Sequence, residues 1–139
     1  MTQDEKKLLL RDLCARLPYG VKGRVSSRDC NNRECDFVAT IGGKLYDRFA
    51  VAQELWFDNV TIKPYLFPLS SMTEEQKNDC PINETNLNII KDNLGCYGII
   101  EIPWRLSFLF IDWCNKNHFD YRGLIPLGLA NDATGLNIY

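Results

Sequence analysis

His118, Asp120 and Arg122 are the densest polar group in the chain, inside the aromatic-rich run from Ile111 to Ile125. His118 is also the only histidine. A histidine held by a carboxylate is a general base, and an arginine beside it binds an anion. The competing reading is structural. A histidine at a helix C-terminus meets the helix dipole, while Asp120 and Arg122 pair to fix a turn. If the segment is extended, residues 118, 120 and 122 share one side, and Phe119 and Tyr121 share the other. That makes a surface ledge and not a buried catalytic pair, so the structural reading is preferred.

A second group is basic. Lys22, Arg24 and Arg28 lie on or beside an expected strand, and Tyr19 or Tyr46 could stack on a base, so the patch could bind a nucleotide. A solvated strand face explains the same residues. Trp56-Phe57, beside Asp58-Asn59, could anchor a protein partner; the alternative is core, and the same holds for Trp104-Arg105. A nucleophilic Cys14 or Cys114 would need a base and a depressed pKa. Both fall on expected apolar helix faces, which points to packing. Asp112, next to Trp113, is assigned no catalytic role.

The chain has six cysteines, and no two of them have Cys-x-x-Cys spacing. Cys30 and Cys35 are separated by four residues, and only His118 could add an imidazole, a poor set for a structural zinc. Free thiols in a reducing compartment are expected. Gly42-Gly43 lacks the Lys-Ser/Thr and following helix of a phosphate loop, and reads as a turn. The sequence contains no zincin, serine-hydrolase, Walker or dinucleotide fingerprint. No cofactor is expected.

The elements around these residues follow from pattern. Thr2-Gln-Asp-Glu5 is a capping box opening a helix with Leu9, Leu10, Leu13, Cys14 and Leu17 at helical spacing. Pro18 ends it and Gly20 turns the chain. Val21–Val25 alternates as a strand, residues 26–34 read as a loop, and Cys35–Ile41 alternates again. Gly42-Gly43 is a hairpin signal with a returning strand over 45–52. Residues 55–57 and 60–62 suggest a further turn and short strand. Pro64 and Pro68 bracket an extended Tyr65–Phe67 that crosses the end of the sheet. Thr73-Glu-Glu-Gln76 is a second capping box, for a helix that stops before Pro81. Asn83 or Thr85 caps a helix with Leu87, Ile90 and Leu94 on one face, ending at Gly95. Cys96–Ile102 reads as a strand closed by Pro103. Ser107 caps a helix over 108–117, with Leu106, Phe110, Trp113 and Cys114 as its apolar stripe.

The expected fold is therefore α+β: a small antiparallel sheet or curled barrel-like meander, with an N-terminal helix and C-terminal helices packed on it. Residues 1–139 form a single domain, a length that buries a real core. Net charge is -2; no broad basic field exists, so general nucleic-acid binding is disfavoured. The longest apolar run is too short to span a membrane. The charged N-terminus lacks a signal-peptide core. A cytoplasmic protein is expected.

Three segments together, residues 8–21, 62–75 and 118–125, resemble small uncharacterised proteins of gut Bacteroidales phages and mobile elements. The resemblance covers roughly a third of the chain. It implies a genomic setting and carries no established activity for any residue. Three classes of function are open, two of them biochemical. One is a non-enzymatic binding protein, an anti-defence factor that sequesters a nucleotide signal or blocks a host protein. Lys22, Arg24, Tyr46, His118 and Arg122 would line its ligand site, and Trp56 and Phe57 would meet a protein. The other is a small metal- or carboxylate-dependent hydrolase or nuclease using Asp36, Asp47 and Asp58. A virion structural protein, a homo-oligomer, is a third reading.

Overall fold

A computed structural model of the chain describes residues 1–27, 33–39, 60–92 and 104–139. The described residues form an α+β fold. Helix α1 spans Gln3–Arg16, followed by a 3-10 turn Leu17–Tyr19. Strands β1 (Val21–Ser27), β2 (Arg33–Ala39) and β3 (Val60–Leu66) come next. After a 3-10 turn at Leu69–Ser71 the chain forms helices α2 (Glu74–Asp79), α3 (Glu84–Asp92) and α4 (Trp104–Lys116). A two-residue strand β4 (Asn131–Asp132) completes the order.

Capping fixes the helix starts. The Thr2 hydroxyl accepts from the Glu5 amide at 3.2 Å, and Glu5 answers the Thr2 amide at 2.5 Å. Thr73 and Gln76 repeat the arrangement at α2. Asn83, not Thr85, caps α3, its side chain accepting from the Asn86 amide at 2.9 Å. Each cap satisfies amides that have no partner within the helix. Gly20 ends the α1 segment at φ 74°, a left-handed conformation that suits glycine. α4 starts four residues earlier than expected, at Trp104 and not after Ser107. Residues 104–106 are all tolerated in a helix, so the weak serine signal was not needed.

The sheet order is β2-β1-β3-β4. β1 pairs antiparallel with β2 and β3, with Arg24 opposite Asp36 on one side and Lys63 on the other. β4 adds a parallel pairing to β3 that the sequence pattern did not announce. Three boundaries differ from expectation. β1 and β2 run into the expected loop, through Ser27 and from Arg33, because polar residues pair as well as apolar ones once a register is set. β3 is a continuous strand through Pro64, not a short strand followed by a crossing segment. The expected Gly42-Gly43 turn, the strands over 45–52 and 96–102, and Leu94-Gly95 lie outside the described residues.

Two buried clusters make the core. Leu9, Leu13, Val21, Ile62, Leu66, Leu124 and Leu129 join α1 to the inner face of β1 and β3. Leu69, Met72, Leu87, Ile90, Phe110, Cys114 and Phe119 join the later helices. α1 turns residues 9, 12, 13 and 16 inward, so Cys14, expected on the apolar face, is exposed. Cys114 is buried as expected, and burial raises its thiol pKa well above the ordinary value. No helix among the described residues is long and apolar enough to cross a membrane.

Candidate functional site

The residues with chemistry gather where α4 ends and the chain returns to the sheet. His118 breaks α4 with φ 59°, the left-handed region. The expected extended ledge is therefore a turn. The His118 carbonyl accepts from the Phe67 amide at 2.9 Å, and the Asp120 amide donates to the Phe67 carbonyl at 2.8 Å. This bridge fixes the histidine against the end of β3.

Asp120 does not pair with Arg122 or hold the imidazole. Its carboxylate accepts from the Leu124 amide at 2.9 Å and the Ile125 amide at 2.8 Å. Burial raises its pKa, against the opposing effect of those amides. Arg122 reaches the other way: its Nε lies 3.3 Å from Asp12 Oδ1. That contact is an ion pair by distance without hydrogen-bond alignment, since Nε has no hydrogen-bond partner. The guanidinium also lies 4.7 Å from the centre of the Tyr121 ring.

Asp12 belongs first to Arg16. The two side chains are fully buried on consecutive turns of α1, with Nε–Oδ2 at 2.7 Å and Nη2–Oδ1 at 3.0 Å. Arg16 also donates to the Cys114 carbonyl at 3.2 Å and the Phe119 carbonyl at 2.9 Å. Burial works against the Arg16 charge, but Asp12 outweighs it and the pKa stays above the ordinary value. This pair closes the end of α4 onto α1. Sequence reasoning missed it, although two oppositely charged residues at i and i+4 within an apolar stripe were a legible signal.

The remaining candidates meet around Tyr139. Its ring stacks on His118, with centroids 3.6 Å apart and planes 12° apart, and tilts against Phe67 at 6.0 Å. Its hydroxyl accepts from the Lys22 amide at 2.9 Å and faces the Tyr65 carbonyl at 3.0 Å and the Lys22 carbonyl at 3.3 Å. The β1–β3 register ends at Gly23 and Pro64, so the hydroxyl stands where the next rung would be. The Lys22 ammonium donates to the Ile138 carbonyl and lies 5.3 Å from the Tyr139 ring centre. Burial holds the Tyr139 phenol up at about 12.

His118 is 6% exposed, and its Nδ1 has no hydrogen-bond partner. Burial, then the charges of Arg16 and Lys22, lower its pKa to about 4. It is therefore neutral at pH 7, a flat stacking platform. Val21 and Val25 pack inward, so alternation puts Lys22 and Arg24 on the outer face of the sheet. Arg24 is exposed there, 6.0 Å from the centre of the Tyr65 ring, and stands opposite Lys63 in register.

Lys22 and His118 are thus brought together. Arg24 stands along the strand, and Arg122 is held at Asp12. Tyr46, Trp56, Phe57, Arg28, Asp47 and Asp58 lie outside the described residues. Tyr19, considered as a stacking residue, donates instead to Asp112 at 2.5 Å. Tyr65 and Tyr139 were missed: neither stands in a periodic pattern or motif. Among the described residues, no group of three or more histidine, cysteine or acidic side chains gathers as a metal site. A separate concavity of about 400 Å³ lies between α2 and α3, where Lys77 already pairs with Glu74 at 2.6 Å. Comparison with known proteins gives no match to any family model, curated protein or solved structure.

Proposed function

We propose that this chain is a non-enzymatic binding protein whose ligand is a small nucleotide. One observation carries the reading: the Tyr139 slot. It holds a planar ring flat on His118, offers a hydrogen-bonding edge made of backbone groups, and places the Lys22 ammonium beside the ring. Stacking on a flat side chain with a cation nearby is how proteins hold nucleobases without a sequence code. In this structure Tyr139 fills the slot, so a ligand would displace it and release Lys22 from the Ile138 carbonyl. The freed ammonium, with Lys63 on the same sheet face, would meet the phosphate. A net charge of -2 suits capture of a mononucleotide and disfavours a long polyanion. In the setting that the resemblance to phage and mobile-element proteins implies, such capture would sequester a host defence signal.

The test is a thermal-shift screen against mononucleotides, cyclic dinucleotides and cyclic trinucleotides, with product analysis of each hit. A ligand at a hundredfold excess over its Kd should raise stability by about 2.7 kcal/mol and be recovered intact. Ligand consumed would make the protein an enzyme.

A second reading has its own observation. Phe108, Leu109 and Ile111 on α4 are 68%, 52% and 38% exposed. Large apolar side chains grouped on one helix mark protein interaction surfaces. If blocking a host protein is the function, Phe108→Ser should abolish capture of that protein from host lysate without lowering Tm.

A further inference from the structure

The slot has an edge as well as a face, and the edge is chemically uneven. One donor, the Lys22 N–H, and two acceptors, the Lys22 and Tyr65 carbonyls, converge on the Tyr139 hydroxyl. A hydroxyl has one hydrogen. It accepts from the N–H, and the two carbonyls compete for that hydrogen, with Tyr65 nearer at 3.0 Å against 3.3 Å. The residue in the slot therefore supplies one hydrogen fewer than the edge can accept.

We propose, resting on the nucleotide-binding reading above, that this edge selects aminopurines, adenine and guanine, over uracil. Guanine presents O6 as an acceptor beside two N–H donors, at N1 and the amino group. Adenine presents N1 as an acceptor beside an amino group carrying two hydrogens. Both complement one N–H and two carbonyls. Uracil presents a single N–H between two carbonyl oxygens, so one of its oxygens must face a protein carbonyl. Two acceptors set against each other repel, and neither gains a hydrogen bond. The Tyr139 ring is the chain's own stand-in for the base, so removing it should strengthen binding.

The experiment is isothermal titration of the wild type and of Tyr139→Ala with AMP, GMP and UMP. AMP and GMP should bind the variant about tenfold tighter than the wild type, and about tenfold tighter than UMP binds the variant. Equal affinity for all three ligands overturns the base selection and leaves nucleotide capture standing. Binding of none of them by a folded variant removes both. A purine preference of the same strength in wild type and variant would place the ligand outside the slot, which also overturns the proposal. If circular dichroism shows that Tyr139→Ala is unfolded, Tyr139→Phe replaces it. There the ring stays but its hydroxyl anchor is gone, so AMP should still bind tighter than to the wild type and tighter than UMP. Equal values would overturn the selection.

Discussion

Asp120 and His118 were weighed in the sequence as a general-base pair and preferred as a structural turn, and the Asp120 carboxylate is spent on structure. Asp120 satisfies the Leu124 and Ile125 amides at the buried turn after α4. Asp120→Ala would strand both amides and should cost about 2–4 kcal/mol, read from urea midpoints. Asp120→Asn keeps one acceptor and should cost less. His118 sets a pH dependence whose sign follows from its lowered pKa. The unfolded chain binds a proton near 6.5, whereas the folded chain resists until about 4. Between those values the unfolded state holds more protons, so stability falls as pH falls through the window. The loss by pH 5 should be about 1–2 kcal/mol, discounted for partial solvation of the ring. His118→Asn, which tolerates the left-handed backbone and does not titrate, should remove that slope between pH 5 and 6.5. An unchanged slope would mean that the imidazole is solvated.

At the scale of elements, α1 and α4 are joined through the Asp12–Arg16 pair. Asp12→Ala would leave a buried guanidinium without its carboxylate, and should cost about 3–5 kcal/mol in chemical denaturation. The double variant Asp12→Leu with Arg16→Met, which buries no charge, should lose less than Asp12→Ala alone. Trp113 holds α4 to α2: its indole donates to Asp79 at 3.0 Å and stacks on Phe119 at 5.3 Å. Trp113→Ala should destabilise by about 3 kcal/mol; unchanged melting would contradict its place in the packing. The helices were legible because their signals are local. Thr2-Gln-Asp-Glu5 and Thr73-Glu-Glu-Gln76 each specify a helix start within four residues. β3 was legible only in part, since Pro64 reads locally as a break while the ladder to β1 tolerates it. β4 was not legible at all. Its two residues, Asn131 and Asp132, are placed by the Leu124–Ala130 turn that Asp120 ties, not by their own propensity.

At the scale of the molecule, Tyr139 ties the segment after β4 to the sheet at the point where β1 and β3 stop pairing. No local pattern announces a contact between residues 22 and 139, which is why the slot was invisible while Lys22 and His118 could be nominated by type alone. Nucleotide capture requires that slot to exchange its own tyrosine for a nucleotide base. The most direct measurement is a titration of the intact wild-type protein with AMP, followed by NMR at the Lys22 amide, the His118 ring and the Tyr139 ring. Exchange at the slot predicts that all three signals move together along one saturating curve, with Tyr139 shifting toward the position of a free, mobile tyrosine. Saturable binding that leaves these three signals in place, or no response at any residue, would contradict it.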